Sequence, residues 1–74
     1  MLELDLRGLT CPLPLLKTKQ ALNQVEPGMV VTVHATDPGS WKDFHSFCEL
    51  SGNELLKAEE REDGFFYQIE KRQA

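Results

Sequence analysis

The 74-residue sequence predicts an α+β fold, a two-layer α/β sandwich in which two helices cover one face of a four-stranded mixed sheet. Alternating or β-branched segments at residues 2–7 and 29–36 predict strands, and each is followed by an apolar stripe with helical spacing. Two further strand-like segments flank Asp63-Gly64, which is a hairpin signal. The predicted element order is therefore β-α-β-α-β-β. A chain of this length is expected to form one domain, residues 1–74.

The first strand, residues 2–7, is expected to point Leu2, Leu4 and Leu6 toward the core and to leave the residues between them in solvent. Gly8 supplies a turn before the first helix, residues 12–25. The residues of the apolar stripe on that helix are Leu15, Thr18, Ala21, Leu22 and Val25. The stripe predicts which side of the helix packs on the sheet.

Leu13 and Leu16 fall outside this stripe, so we expect both side chains to be exposed. Two interpretations remain open. They are ordinary exposed leucines, or together with Lys17 they form an apolar docking surface for a partner protein.

The second strand follows Glu26-Pro27-Gly28, which stops the first helix. A strand, a helix and a second strand in succession predict a parallel pair joined by a crossover connection. Alternation directs Val31, Val33 and Ala35 toward the helices and places His34 on the opposite, solvated face. His34 is therefore interpreted as a surface residue.

The second helix is expected to start with Asp37 as its N-cap and Pro38 as its first residue. Capping explains Asp37, although contact between the Asp37 to Lys42 loop and a substrate is an alternative. A core-facing stripe consists of Trp41, Phe44, Phe47, Cys48 and Ser51, and it predicts that Cys48 is buried. Gly52 and Asn53 end the helix, and the last two strands span residues 54–61 and 65–72.

Composition excludes several classes of function. The net charge of −4 and the absence of a basic cluster argue against direct nucleic-acid binding. The start of the chain does not resemble a signal peptide, and no apolar run is long enough to span a bilayer, so a cytoplasmic protein with no membrane association is expected. Two cysteines and two histidines show no paired-ligand spacing, so neither a metal nor another cofactor is expected.

Cys11 is the main candidate for chemistry, because it stands where the first strand gives way to the first helix. Pro12 and Pro14 suit a helix's first turn, which places Cys11 at or near the N-cap. First-turn amides and the helix dipole favour an anion there, so a thiolate or persulfide would be stabilised. The alternative is that Cys11 is a small buried hydrophobic residue. The two prolines favour the reactive interpretation, since they stiffen the backbone after the sulfur.

The sequence resembles the TusA family of small sulfur carriers, also called SirA-like proteins. The matching positions are Asp5, Arg7, Gly8, Cys11, Pro12 and Pro14, followed by Lys17-Thr18-Lys19, Ala21-Leu22 and Ala35 to Ser40. This resemblance covers residues 5 to about 71. It implies the same two-layer fold with the sheet order 1-2-4-3, and it makes the whole chain one sulfur carrier domain.

The resemblance implies that Cys11 carries a persulfide, supported by the other motif residues. A cysteine desulfurase or a rhodanese would donate the sulfur, and a downstream sulfurtransferase would accept it, in a relay toward tRNA 2-thiouridine or in sulfur oxidation. We expect a monomer. Thiol-persulfide exchange needs an accessible sulfur more than a constellation of acids and bases, so whether the chain is an enzyme stays open. The alternative function is a non-catalytic adaptor or a redox-sensing regulator.

Overall fold

The computed structural model describes residues 2–73. The strands and helices follow the predicted order: β1 (Leu2–Leu6), α1 (Leu13–Gln24), β2 (Val30–Ala35), α2 (Ser40–Ser51), β3 (Glu54–Arg61) and β4 (Gly64–Glu70). The predicted bounds of the third strand are confirmed, and most other bounds differ by one or two residues. The predicted α+β architecture is confirmed.

The sheet has the order β1-β2-β4-β3, as the resemblance implied. β1 pairs with β2 in parallel, whereas β4 pairs with both β2 and β3 in antiparallel orientation. Because β1 and β2 are parallel neighbours, with Leu6 opposite Ala35, their carboxyl ends lie at the same edge of the sheet. The segments that lead into α1 and α2 are therefore neighbours in space, although they are far apart in sequence.

The core lies between the two helices and one face of the sheet. The predicted stripe of α1 is buried at Thr18, Ala21 and Leu22, and Pro14 is buried with them. From α2, Phe44 stacks on Tyr67 of β4 with ring centroids 4.4 Å apart. The strands contribute the fully buried side chains Val31, Val33, Tyr67 and Ile69. Burial of these apolar surfaces is the main source of stability in so small a fold.

Two side chains predicted to face the core are exposed instead. Trp41 is 39% exposed because it lies at the start of α2, where its ring packs on His45 at a centroid distance of 4.7 Å. Leu2 is exposed because β1 is an edge strand with a neighbour on one side only. Both residues lie at the first or second position of their element, where fewer neighbouring side chains cover them.

The predicted start of α2 is wrong by two residues. Gly39, not Asp37, is the N-cap, and Ser40 is the first helical residue. Asp37 still organises the turn, since its backbone carbonyl accepts a hydrogen bond from the Ser40 amide at 3.0 Å. The Ser40 hydroxyl lies 2.8 Å from the Tyr67 hydroxyl, and this buried pair fixes the start of α2 on the sheet.

The opposite face of the sheet carries polar and charged side chains. His34 lies on this face as predicted, and its Nε2 is 2.6 Å from Glu3 Oε2. The Arg61 guanidinium lies 4.1 Å from the centre of the Phe66 ring. On β3, which is the other edge strand, the pairing register with β4 shifts between Leu55 and Lys57, at a β-bulge or similar irregularity.

Candidate functional site

Cys11 lies in the turn between β1 and α1, and its side chain is exposed. The turn is held by two backbone hydrogen bonds, from the Leu9 amide to the Leu6 carbonyl at 3.3 Å and from the Leu13 amide to the Thr10 carbonyl at 2.9 Å. Pro12 is the N-cap of α1, and the Cys11–Pro12 peptide bond is cis. Cys11 therefore precedes the N-cap by one residue, and its sulfur is accessible from solvent.

The Cys11 thiol donates a hydrogen bond to Asp43, a residue of the first turn of α2. The distance from Sγ to Oδ2 is 3.4 Å. This hydrogen bond raises the pKa of the Cys11 thiol, and partial desolvation and the charges of Asp43 and Asp37 raise it further. The prediction of a stabilised thiolate at this position is therefore wrong for the free protein. Helix geometry was a sound guide to where the sulfur lies, but the Asp43 carboxylate of the neighbouring helix raises the pKa of the thiol.

The other cysteine, Cys48, is shielded from solvent. It is 5% exposed and lies on the core-facing side of α2, as the apolar stripe predicted. Burial raises the pKa of its thiol to about 11. Cys48 is thus neutral and shielded at physiological pH, which leaves Cys11 as the accessible sulfur.

The motif residues Asp5 and Arg7 pair with each other at the end of β1. Arg7 donates from Nε to Asp5 Oδ1 at 2.8 Å and from Nη2 to Oδ2 at 3.0 Å. This bidentate contact lowers the pKa of Asp5 to about 2. Arg7 lines a small surface cavity with Asp63, of the turn between β3 and β4, and Gly64, the first residue of β4. The pair therefore orders the strand end that precedes Cys11 and is not directed at the sulfur.

Gly8 and the two prolines fix the path of the backbone around Cys11. Gly8 has a φ of +87°, a left-handed conformation that favours glycine, and its amide donates to Thr36 Oγ1 at 2.9 Å. Pro14 is buried in the core, whereas Pro12 is exposed beside the sulfur. These residues tie the Cys11 turn to the ends of both β1 and β2.

The proposed docking residues are placed as expected on the outer side of α1. Leu13 is 42% and Leu16 is 45% exposed, and Lys17 is exposed beside them. Their exposure is confirmed, but a role in docking stays a prediction. The structure thus brings an accessible sulfur and an exposed apolar surface onto the start of one helix.

Asp43 is the site residue that sequence reasoning missed. One signal could have identified it, because the first turns of two helices that follow adjacent parallel strands lie at the same sheet edge. Within residues 2–73, no group of three or more His, Cys, Asp or Glu side chains is arranged to hold a metal ion. Neither helix in that part of the chain is long and apolar enough to cross a membrane.

Comparison with known proteins identifies the family. A family model described as Sulfurtransferase TusA matches residues 2–71. The chain belongs to the TusA family. Within this family of sulfur carriers it is 49% identical over 69 residues to the sulfur carrier protein TusA of Allochromatium vinosum, an alignment that covers 93% of this chain and 91% of the relative. It is 52% identical over 63 residues to a putative sulfur carrier protein of Neisseria meningitidis, covering 85% of this chain and 84% of the relative.

A solved structure with the same fold comes from the SirA-like proteins. The crystal structure of the SirA-like protein from Desulfitobacterium hafniense superimposes with a TM-score of 0.82 at 28% identity. The alignment covers 99% of this chain and 100% of the other. The TusA and SirA-like resemblance predicted from the motif is therefore confirmed.

Proposed function

We propose that this TusA family member accepts sulfane sulfur as a persulfide on Cys11 and passes it to a downstream sulfurtransferase. The observation that carries the proposal is the contrast between its two thiols. Cys11 is exposed at the family motif, whereas Cys48 is buried with a pKa of about 11. A sulfur that exchanges with a partner's persulfide must be reachable by in-line attack, and Cys11 meets that requirement.

The surroundings of Cys11 favour a carrier over a redox sensor. A sensor cysteine reacts as a thiolate with small oxidants, so a low pKa is an advantage to it. The hydrogen bond to Asp43 raises the pKa of Cys11, which makes the free protein less reactive toward such oxidants. We infer that the sulfur reacts mainly when a protein partner is docked. A cysteine desulfurase or a rhodanese is the proposed donor, within a cytoplasmic relay.

The test is sulfur loading followed by mass spectrometry. The protein is incubated with a cysteine desulfurase and cysteine, and the intact mass is measured without reductant. We expect the wild type to gain sulfur, the Cys48→Ala variant to load equally, and Cys11→Ser to gain none. Peptide mapping then locates the added sulfur. Loading on Cys48, or normal loading of Cys11→Ser, would show the proposal to be wrong.

The second half of the proposal is tested by removal of the sulfur. Loaded protein is separated from the donor and mixed with a sulfurtransferase that has a free acceptor cysteine. We expect the carrier to return to its unloaded mass while the acceptor gains sulfur. A persulfide that leaves only on addition of a general reductant would contradict the carrier role.

A further inference from the structure

Two carboxylates surround the thiol that the proposed function uses. Asp43 Oδ2 accepts the hydrogen bond from Cys11 Sγ, and Asp37 lies close enough for its charge to act on the same thiol. Asp37 Oδ2 is buried and has no hydrogen-bond partner within residues 2–73. In the same part of the chain, neither carboxylate lies within salt-bridge distance of a basic side chain. The described part of the free protein therefore has, beside this sulfur, two carboxylates that are not ion-paired with any cation.

We propose that Asp43 holds the Cys11 thiol in its neutral form while the carrier is free, and that a basic side chain of the sulfur donor pairs with Asp43 on docking and releases the thiolate. This inference rests on the proposed function, because it names the chemistry that the donor must present. Asp43 acts here as a positioning residue that controls the nucleophile. The partner that it fits is a protein with a lysine or arginine next to its persulfide.

Electrostatics explains why Asp43 holds the proton on the sulfur rather than removing it. A carboxylate is a much weaker base than a thiolate, so the shared proton stays on Cys11. Ionisation of Cys11 would also place two negative charges in contact, with Asp37 adding a third nearby. A cation paired with Asp43 occupies the oxygen that accepts the hydrogen bond from Cys11. It also offsets the repulsion between the Asp43 carboxylate and the Cys11 thiolate. The thiolate then becomes accessible only where a donor persulfide is already in place.

The transfer step balances without an external oxidant or reductant. The Cys11 thiolate attacks the terminal sulfur of the donor persulfide, forming a new S–S bond on Cys11 as the donor's own S–S bond breaks. The donor cysteine leaves as a thiolate and takes up the proton that Cys11 lost. Before the reaction the donor holds the persulfide and Cys11 is a thiol. After it the donor cysteine is a thiol and Cys11 holds the persulfide.

The first test measures the protonation of Cys11 without any sulfur transfer. The rate of alkylation by neutral iodoacetamide is followed at the Cys11 peptide from pH 6 to 10 in the wild type and in Asp43→Asn. We expect the midpoint to fall in the variant and the rate near pH 7 to rise about fivefold, the factor produced by two unit charges about 4 Å apart in water. Glu49→Gln removes the same charge from an exposed position on α2 and should leave the profile unchanged.

Asp43→Ser serves as a second variant in case Asp43→Asn folds poorly, and circular dichroism checks both. An unchanged profile in the folded variants overturns the proposal that Asp43 retains the proton. Because iodoacetamide reports only on the thiol, this result is independent of whether the protein carries sulfur. Failure of the wild type to load would instead contradict the proposed function.

The second test asks whether the donor supplies the cation. Loading of the wild type and Asp43→Asn is compared with two donors, glutathione persulfide and a cysteine desulfurase with cysteine. We expect Asp43→Asn to load faster from glutathione persulfide, which is net anionic, but not faster from the desulfurase, since the variant cannot pair with its basic side chain. Equal acceleration with both donors would overturn the proposed pairing.

Discussion

Cys11 and Cys48 show how the surroundings of one side-chain type set its chemistry. Cys48 is enclosed by apolar side chains of the core, where the charged form of a thiol is disfavoured by desolvation. Cys11 is exposed, and its pKa is raised chiefly by the hydrogen bond to Asp43. At the residue scale, the difference between a structural and a reactive thiol is therefore a matter of access and of neighbouring charge.

Replacement of Cys48 by alanine tests its structural role. Cys48→Ala removes one sulfur atom from a packed site and should lower the free energy of unfolding by about 1 kcal/mol. Urea unfolding followed by fluorescence measures the change. In the wild type, Cys48 should react with iodoacetamide only in denaturant, because its thiol is both buried and neutral below about pH 11. Rapid labelling of Cys48 in the folded protein would contradict its burial.

Because of its ion pair with Arg7, the Asp5 carboxyl should titrate at an unusually low pH. The folded pKa of Asp5 is lowered from 3.8 to about 2, so the stabilisation from the pair is present above pH 3.8 and is lost as the pH falls through about 2. We expect the Asp5 carboxyl carbon to titrate in NMR spectra with a midpoint near 2, and Arg7→Ala to move that midpoint back toward 3.8. A midpoint near 3.8 in the wild type would mean that the pair does not persist in solution.

Several site properties followed from local sequence and others did not. The positions of Cys11 before a helix and of Cys48 in a core stripe depend on spacing within one element, which the sequence displays directly. The contact between Cys11 and Asp43 joins residues 32 positions apart, and it depends on how α1 and α2 lie relative to each other. Such a contact can be inferred only after the parallel pairing of β1 and β2 is recognised. The protonation of the thiol was mispredicted for that reason.

At the scale of the elements, the turns fix where each strand and helix begins. The start of α2 was predicted two residues early because Asp37-Pro38 has the composition of a capped helix start, whereas the chain uses these residues in a turn that ends at Gly39. The first three strands were predicted to within one residue at each end, since their pattern is visible over several residues. Local capping signals are weaker evidence than periodicity, as adjacent positions often satisfy the same capping requirement.

Replacing Gly8 or Gly64 by alanine should lower the free energy of unfolding by different amounts. A Cβ on Gly64 would lie 2.5 Å from the Ala35 carbonyl oxygen, and the residue has a φ of +144°, which is strained for any other side chain. Gly64→Ala should therefore lower the free energy of unfolding by at least about 2 kcal/mol. A Cβ on Gly8 would meet nothing within 4 Å, so Gly8→Ala should cost only the strain of its φ, about 1 kcal/mol.

Urea unfolding of the two alanine variants measures this difference. Equal losses of stability would mean that the turn between β3 and β4 shifts to relieve the contact with Ala35. The Gly8→Ala variant should also alter the rate at which Cys11 is alkylated, because the Gly8 amide ties the Cys11 turn to Thr36. Gly52→Ala is the control for that effect, because Gly52 also has a left-handed φ, +82°, but lies beyond the far end of α2.

At the scale of the whole molecule, a carrier of this size must present one small surface to its donor and its acceptor in turn. Leu13 and Leu16 are exposed beside the sulfur, and a docked partner would cover them. The Leu13→Ser and Leu16→Ser double variant should transfer sulfur more slowly with either partner. Exposed side chains usually contribute within about 0.5 kcal/mol each, so the unfolding free energy should change little.

Kinetics of loading and unloading, together with urea unfolding, test this surface. Leu50→Ser is a suitable control, since Leu50 is 87% exposed near the far end of α2. Strong destabilisation of the double variant would indicate a packing role for the leucines. A stable ternary complex of carrier, donor and acceptor would contradict a shared surface, and the Asp37 to Lys42 loop would then be the next segment to examine.

The register shift on β3 bears on how two copies of this protein meet. An edge strand normally offers its free backbone groups to another chain. Here the shift between Leu55 and Lys57 interrupts the regular spacing of those groups, and the charged side chains of Lys57, Glu59 and Arg61 follow it. A second copy that approached this edge would find no even ladder of backbone groups, so we expect encounters through β3 to be brief. The persulfide that we propose on Cys11 would then have little opportunity to exchange with the thiol of another copy through this edge, and it would stay available to a different protein.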